Sequence, residues 1–210
     1  MTLPRPTSSS PAPTTGDDAG MLLVISGPSG VGKTTISHEV EHRLGARFSV
    51  SATTRPRAES EVEGRDYLFL DESEFRRRVE AGEFLEHAQV FGRHWYGTPR
   101  EAVASQLAAG HLVILEIDVQ GALQVRASMP GAFMIFIDPP SEVELLRRLR
   151  GRARESEAVI QRRFEEAKRE IELARTSGAY DHHVVNDALE PTIDAVCALV
   201  TEARRGARDR

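Results

Sequence analysis

The chain has 210 residues, 40% hydrophobic and 6% aromatic, enough for one sizeable core with ordinary globular usage. Its 27 Lys and Arg against 32 Asp and Glu leave a net charge of −5, which excludes binding to nucleic acid by bulk charge and requires any anion site to be a local basic cluster. The single cysteine, Cys197, excludes an intramolecular disulfide and a Cys-based zinc site; it is expected as a small buried hydrophobe on a C-terminal helix. No apolar run reaches the roughly 18 residues of a membrane span, and no secretory leader is visible, so a cytoplasmic protein without membrane attachment is expected.

Residues 1–20 place Pro4, Pro6, Pro11 and Pro13 among Ser and Thr and are expected to form a disordered tail. From Met21 the pattern changes. "MLLVIS" reads as a buried strand, followed by a glycine loop and a helix whose Ile36, Val40 and Leu44 recur at i, i+4 and i+8 until Gly45. Further strands are expected at "RFSVS", "HLVILEI", "AFMIFI" and "HHVVN", each a run of the length expected for a strand covered on both faces. Thr98-Pro99 opens a helix that stops near Gly110, Ser141-x-x-Glu144 is a capping box opening another, and a long one runs from about Ser156 to Thr176. Alternating strands and helices predict an α/β fold with a mainly parallel sheet of five strands. Residues 51–97 break the alternation and read as an insertion, with strands "YLFL" and "EFLEHAQV" around a helix from about Glu72 to Ala81 that ends at Gly82.

Gly27-Pro28-Ser29-Gly30-Val31-Gly32-Lys33-Thr34 satisfies G-x-x-x-x-G-K-[ST] between a strand and a helix. Glycines allow backbone N–H groups to approach phosphate oxygens, and the helix that follows presents its positive end to them. Lys33 is then expected on the β and γ phosphates and the Thr34 hydroxyl on magnesium. In "SVSATTRPRAESEVEGRDY", Arg55, Arg57 and Tyr67 could form a cluster of phosphate donors, with Glu61 and the later Glu86 as acceptors; a solvated loop of surface ion pairs is the competing reading. A site joining arginines with carboxylates suits a ligand with phosphate at one end and N–H donors, such as those of guanine, at the other. Glu116 and Asp118 are expected at the carboxyl end of a central strand, sharing one face if the strand continues that far. The run containing Arg147, Arg148, Arg150, Arg152, Arg154, Arg162 and Arg163 is a solvated helix face unless the protein transfers phosphoryl groups, where such arginines neutralise the moving charge. His38 and His42 have metal-compatible spacing but no evident third ligand, and His182-His183 is expected only to frame the last strand.

These motifs, "ISGPSGVGKTT", "FSVSATTR", "EVEGRDYLF", "EFLEHAQVFG", "YGTP", "LEIDVQGA", "PPSEVELLRRLRGR" and "VVND", follow in an order and spacing that closely resembles nucleoside-monophosphate kinases of the guanylate kinase type, over about Met21 to Glu202. The resemblance implies a P-loop kinase fold, with a core of 21–50, 98–147 and 164–205, a GMP-binding insertion at 51–97 and a mobile lid at about 148–163, the whole domain spanning 21–205. It implies magnesium-dependent transfer of a phosphoryl group from ATP to GMP or dGMP in purine nucleotide metabolism, with no nucleic-acid partner and an open oligomeric state. By position, it assigns Gly27 to Thr35 and Asn186 to ATP; Arg55, Tyr67, Tyr96 and an arginine near 57 to the acceptor phosphate; and Ser51, Glu86 and Thr98 to guanine. Asp118 with Glu116 closes the acceptor site and Glu61 supports it. Lys33, Arg148, Arg152 and Arg163 match catalytic positions. Three departures stand out: Arg57 follows Arg55 by two where the family spacing is three, "GRHWYGTP" is one residue longer than the common form, and Ala153-Arg154 replace a glycine and threonine. Two other readings are a sugar-phosphate kinase of the same fold, which has no use for a guanine reader, and a phosphopeptide-binding module, which would carry a damaged phosphate loop.

Overall fold

The computed structural model describes residues 20–90, 92–152 and 156–208, the side chains of Arg152 and Arg208 excepted. The expectations for residues 1–19, Ala153 and Arg154 lie outside the described residues. The first half of the chain forms β1 (Met21–Ser26), α1 (Lys33–Leu44), β2 (Arg47–Phe48), β3 (Ala52–Thr53), β4 (Leu68–Phe69), α2 (Glu72–Glu80), β5 (Phe84–Val90) and β6 (His94–Pro99). The second half forms α3 (Arg100–Ala108), β7 (Leu112–Glu116), α4 (Val119–Ser128), β8 (Phe133–Asp138), α5 (Glu142–Arg152), α6 (Glu157–Ser177), β9 (His182–Val185) and α7 (Leu189–Arg208).

Five strands make an all-parallel sheet in the order β2-β7-β1-β8-β9, the architecture of a P-loop kinase fold. Its three central strands, β7, β1 and β8, are almost wholly apolar because both faces are covered, whereas the edge strands β2 and β9 are partly exposed. Alternate side chains of β1 go to opposite sides: Leu23 and Ile25 pack with Ile36 and Val40 of α1 and Ile193, Val196 and Val200 of α7. Leu22 and Val24 pack with Val103 of α3 and Val125 of α4 on the other face. Because β1 lies between β7 and β8, the strand order reverses there, and the carboxyl ends of these three strands open a crevice in which open α/β sheets bind ligands.

A second sheet, β4-β3-β6-β5, stands beside this crevice. It is held by its own small core, in which Phe75 of α2 is fully buried and stacks on Phe84 at 4.6 Å, with Ala52 and Trp95 around them. Burying one such ring is worth about 2–3 kcal/mol, and Asp71 fixes the start of α2 by accepting from the Glu74 N–H at 2.8 Å. Gln124 of α4 closes the edge strand β5 onto the main body: its carboxamide accepts from the His87 N–H and donates to the His87 carbonyl, both at 3.0 Å.

Four expectations need correction. Two strands of the second sheet, β3 and β6, were not foreseen. Thr98 and Pro99 belong to the end of β6, so the helix expected at Thr98-Pro99 starts at Arg100, with Pro99 as its N-cap. The strand ending in "LEI" stops at Glu116, so Glu116 and Asp118 share no strand face. Asp118 caps α4 instead, accepting from the Gly121 N–H at 2.8 Å, because its short carboxylate satisfies an amide that the helix leaves open. Cys197 lies on α7 as expected but is only half-buried.

Candidate active site

The loop between β1 and α1 is shaped by what surrounds it. Gly32 adopts φ 102°, and a Cβ there would stand 2.7 Å from the Asn186 carboxamide. Gly27 passes so close to β8 that a Cβ would meet the Ile137 carbonyl at 2.6 Å. No side chain caps α1 and its first turn carries no acidic residue, so its amino-terminal amides and dipole are directed into the crevice. Lys33 donates to the carbonyls of Gly27 and, at 3.1 Å, Pro28. Asn186, expected at ATP, is buried just after β9 and donates to the Val31 carbonyl at 2.8 Å, which makes it a brace of the loop. Thr34 and Thr35 are exposed at the start of α1. The Thr34 hydroxyl donates to Glu116 Oε1 at 2.7 Å, which places Glu116 beside the phosphate loop.

Across the crevice, the 55–61 turn folds onto itself. Arg55 donates through both terminal nitrogens to Glu61, at 2.6 and 3.1 Å, and its guanidinium lies 5.4 Å from the Tyr67 ring centroid. Tyr67 and Tyr96 meet edge to face at 6.0 Å. The Glu61 pair, followed by Tyr96, holds Arg55 above its ordinary range; Arg55 and the Ala58 N–H hold the Glu61 carboxyl below its own. Arg55, Glu61, Tyr67 and Tyr96 are thus brought together. Arg57 is exposed and donates to the Glu61 main-chain carbonyl at 2.9 Å, outside the Arg55–Glu61 side-chain pair.

A cleft of ≈ 560 Å³ runs between the two sheets, lined by Ser51, Glu61, Tyr67, Thr98 and Glu116 among others. At its side sits Glu86 on β5, only 8% exposed. The Thr98 hydroxyl donates to Glu86 Oε1 at 2.6 Å, and a Cβ added at Gly121 of α4 would stand 3.2 Å from Oε2. Burial raises the Glu86 carboxyl above its usual range, the Thr98 hydrogen bond opposes this, and Asp118 adds to it. Such an acceptor, desolvated beside a second carboxylate, suits a ligand bearing two adjacent N–H donors.

The arginine run divides. Arg147 and Arg148 share Glu144 at 2.7 and 2.8 Å, and Arg150 pairs with Glu157. Arg163 of α6 reaches the loop itself, donating to the Ser29 hydroxyl at 2.6 Å. The Arg152 side chain lies outside the described residues. Among the described residues no group of three or more His, Cys, Asp and Glu could hold a metal, so His38 and His42 gain no third ligand. A larger cavity of ≈ 820 Å³ lies at the amino ends of the strands, lined by Met21, Phe133 and His182 and away from these groups. Its Arg126 is occupied by the Ala179, Pro130 and Ala132 carbonyls and by Asp181.

Sequence reasoning missed a set of polar groups behind the loop. Ser26 is fully buried and accepts from the Tyr180 hydroxyl at 3.1 Å, and burial raises the carboxyl of Glu170 on α6, with the Lys33 charge opposing the rise. Tyr180 follows the glycine that ends α6, a position that signals only a turn, and Glu170 lies in a run of charges.

The model of the guanylate kinase family matches residues 19–203. The chain belongs to the guanylate kinase family. It is 47% identical over 199 residues to a guanylate kinase of Gloeobacter violaceus, covering 94% of each chain. It is 49% identical over 185 residues to one of Thermobifida fusca, covering 88% of this chain and 92% of the relative. Among solved structures, guanylate kinase from Anaplasma phagocytophilum superposes with a TM-score of 0.65 at 35% identity, covering 89% of this chain and 87% of that one. The matched residues include both sheets and the phosphate loop.

Proposed function

We propose that the chain transfers the γ-phosphoryl group of ATP to the phosphate of GMP or dGMP, giving ADP and GDP or dGDP, reversibly. The observation that carries this reading is the buried Glu86–Thr98 acceptor, 2.6 Å between oxygens, standing across one crevice from an intact phosphate loop. Residues 51–97 are assigned to the acceptor and 148–163 to covering ATP, within a domain of 21–205. Gly27 to Thr35 cradle the donor phosphates with Asn186 holding the loop. Arg55, Tyr67 and Tyr96 hold the acceptor phosphate with Glu61 orienting Arg55, and Ser51, Glu86, Thr98 and Asp118 read guanine.

A GMP phosphate oxygen attacks the γ phosphorus. The new P–O bond forms as the bond to the β–γ bridging oxygen breaks, and its electron pair leaves with ADP. An anionic oxygen needs no strong base, which is why the crevice has arginines where a hydrolase would carry a nucleophile and histidine. Two anions must be held nearly touching, so positioning and charge neutralisation are the work of Lys33, Arg163, Arg148 and Arg152. Thr34 and Glu116 offer hard oxygen donors that fit Mg²⁺, which uses one or two protein oxygens besides phosphates and water, and the ion supplies charge neutralisation on the donor phosphates when bound. No helix among the described residues is long and apolar enough to cross a membrane. The lone cysteine and the net charge of −5 suit a cytoplasmic metabolic enzyme acting on small molecules without nucleic acid.

The test is a coupled assay of ADP release with GMP, dGMP, AMP, UMP and ribose bisphosphate as acceptors. GMP and dGMP should be phosphorylated far faster than the rest. Turnover of the sugar phosphate without GMP activity refutes the reading.

A further inference from the structure

β5 is the free edge of the second sheet, and an edge strand leaves a row of main-chain N–H and C=O groups to be satisfied from outside. Here one stripe of α4 takes them. Gly121, Gln124 and Ser128 recur at i, i+3 and i+7 and so lie on one side of the helix. The Gln124 carboxamide accepts from the His87 N–H and donates to the His87 carbonyl, both at 3.0 Å, as the peptide of a neighbouring strand would. The Ser128 hydroxyl donates to the Leu85 carbonyl at 3.1 Å. Glu86 stands between these two anchored residues. Where the register with β6 shifts, between Phe84 and Glu86, consecutive side chains go to different places: Phe84 packs with Phe75 in the second sheet's own core, and Leu85 joins Val103, Ala122 and Val125 in the main body. Glu86 meets Thr98 at the cleft, and a Cβ added at Gly121 would stand 3.2 Å from its Oε2. A buried carboxylate is drawn toward water, so the backbone that carries it must be held.

We infer that Gln124 is a positioning residue for guanine recognition: standing in for the strand that β5 lacks, it fixes the backbone at His87 and with it the place of the Glu86 carboxylate. This deepens the guanine assignment of Glu86 made above and rests on it. The other parts of the crevice are held by other means. Arg55 and Glu61 grip one another on the turn after β3, and Asn186 braces the phosphate loop through the Val31 carbonyl. Loss of the Gln124 carboxamide is therefore felt at the base and at neither phosphate site.

The experiment compares Gln124→Met, which keeps the length of the side chain but loses both hydrogen bonds, with Arg126→Ala on the same helix, whose guanidinium bonds the Ala179, Pro130 and Ala132 carbonyls away from the crevice. kcat and KM for GMP, AMP and ATP are read by ADP release. Gln124→Met should raise the GMP KM by about tenfold, within the reach of two main-chain hydrogen bonds. AMP kcat/KM and the ATP KM should stay within about twofold, because AMP gains nothing from a well-placed Glu86. Arg126→Ala should leave the GMP KM within about twofold whatever its melting temperature, which separates placement of Glu86 from loss of stability. In a Glu86→Gln background, Gln124→Met should cost GMP less than about twofold, since the group it acts through is already altered. Should Gln124→Met not fold, hydrogen exchange of the nucleotide-free wild type reads the same anchor: the His87 amide should exchange at least about a hundredfold more slowly than an exposed amide. Equal losses for GMP and AMP, an unmoved GMP KM, the full cost in the Glu86→Gln background, an equal GMP effect of Arg126→Ala or a freely exchanging His87 amide each overturn the inference. Full GMP preference in Glu86→Gln alone refutes the guanine assignment instead.

Discussion

Replacing Glu86 by glutamine separates what the crevice does for folding from what it does for specificity. The Thr98 hydroxyl donates to Glu86 Oε1 at 2.6 Å, so in Glu86→Gln the amide oxygen takes that bond and the NH₂ turns to the ligand side. One charge-assisted acceptor is lost, worth about 1.5–3 kcal/mol, and a donor now faces guanine's own donors at a further cost of about 1–3 kcal/mol. Even the lower half of that range lowers kcat/KM for GMP by about a hundredfold or more. AMP, whose N1 is an acceptor and which lacks the 2-amino group, should be used at nearly the same residual rate, so selectivity shrinks from the GMP side. Stability should move the other way. The native-state Glu86 carboxyl is raised, chiefly by burial, so its charged form destabilises the fold above that raised value and the penalty is relieved as pH falls through it. Glutamine carries no such penalty at neutral pH, and the nucleotide-free variant should melt at or above the wild-type temperature. By the same sign, GMP affinity of wild type should fall as pH is lowered toward the raised value, because protonation removes the acceptor. The measurements are kcat/KM for GMP and AMP by ADP release, and melting temperature without ligand. A variant that keeps full GMP preference takes Glu86 out of the guanine site.

Lys33→Ala should lose about a thousandfold in kcat with an unchanged melting temperature, since the hydrogen bonds to the Gly27 and Pro28 carbonyls are lost but no apolar core packing is; near-normal turnover would refute the ATP site. Arg163→Ala should lower kcat far more than GMP affinity, whereas Arg147→Ala, whose guanidinium pairs with Glu144 at the surface, should change neither by more than about twofold; equal effects would return the whole run to a solvated face. Arg55→Ala should raise the GMP KM by tenfold or more, and Arg57→Ala, anchored on a main-chain carbonyl, by less than about threefold; the reverse order in steady-state kinetics would show that the displaced arginine carries the phosphate.

The parallel sheet was legible because strands covered on both faces read as continuous apolar runs, and "MLLVIS" leads straight into a glycine loop whose spacing has one chemical use. The second sheet was legible only in part. Ala52–Thr53 is too short to show alternation, and His94–Pro99 contains Gly97 and Pro99, which argue locally against a strand; pairing with β5 from Phe84 to Val90 makes it one. Glu116 and Asp118 were foreseen at the right end of the right strand, yet their spacing misled because the chain turns into α4 between them. Glu170 gave no signal, since "EEAKREIELAR" reads as a solvated helix face and only packing against Phe136 and Leu149 turns one side of it to the loop. Asn186, expected at ATP, also holds a carbonyl of the loop, a contact that "VVND" alone does not reveal.

The cations of the crevice each rest on a protein oxygen: Lys33 on the Gly27 and Pro28 carbonyls, Arg163 on the Ser29 hydroxyl, Arg55 on the Glu61 carboxylate. A phosphate oxygen that takes over such a contact replaces one acceptor by another, so no donor is left bare on the way. The gain then depends on what is displaced. Exchanging a neutral carbonyl or hydroxyl for a phosphate oxygen converts an ordinary hydrogen bond into a charge-assisted one, which is roughly twice as strong. Exchanging a carboxylate gains little, and Arg55 keeps Glu61 best by using its remaining donors for the phosphate. Lys33 and Arg163 are therefore the groups whose contacts strengthen most as charge moves between the two nucleotides, while Arg55 fixes where the acceptor sits. This ordering requires Lys33→Ala and Arg163→Ala to act mainly on kcat and Arg55→Ala mainly on KM.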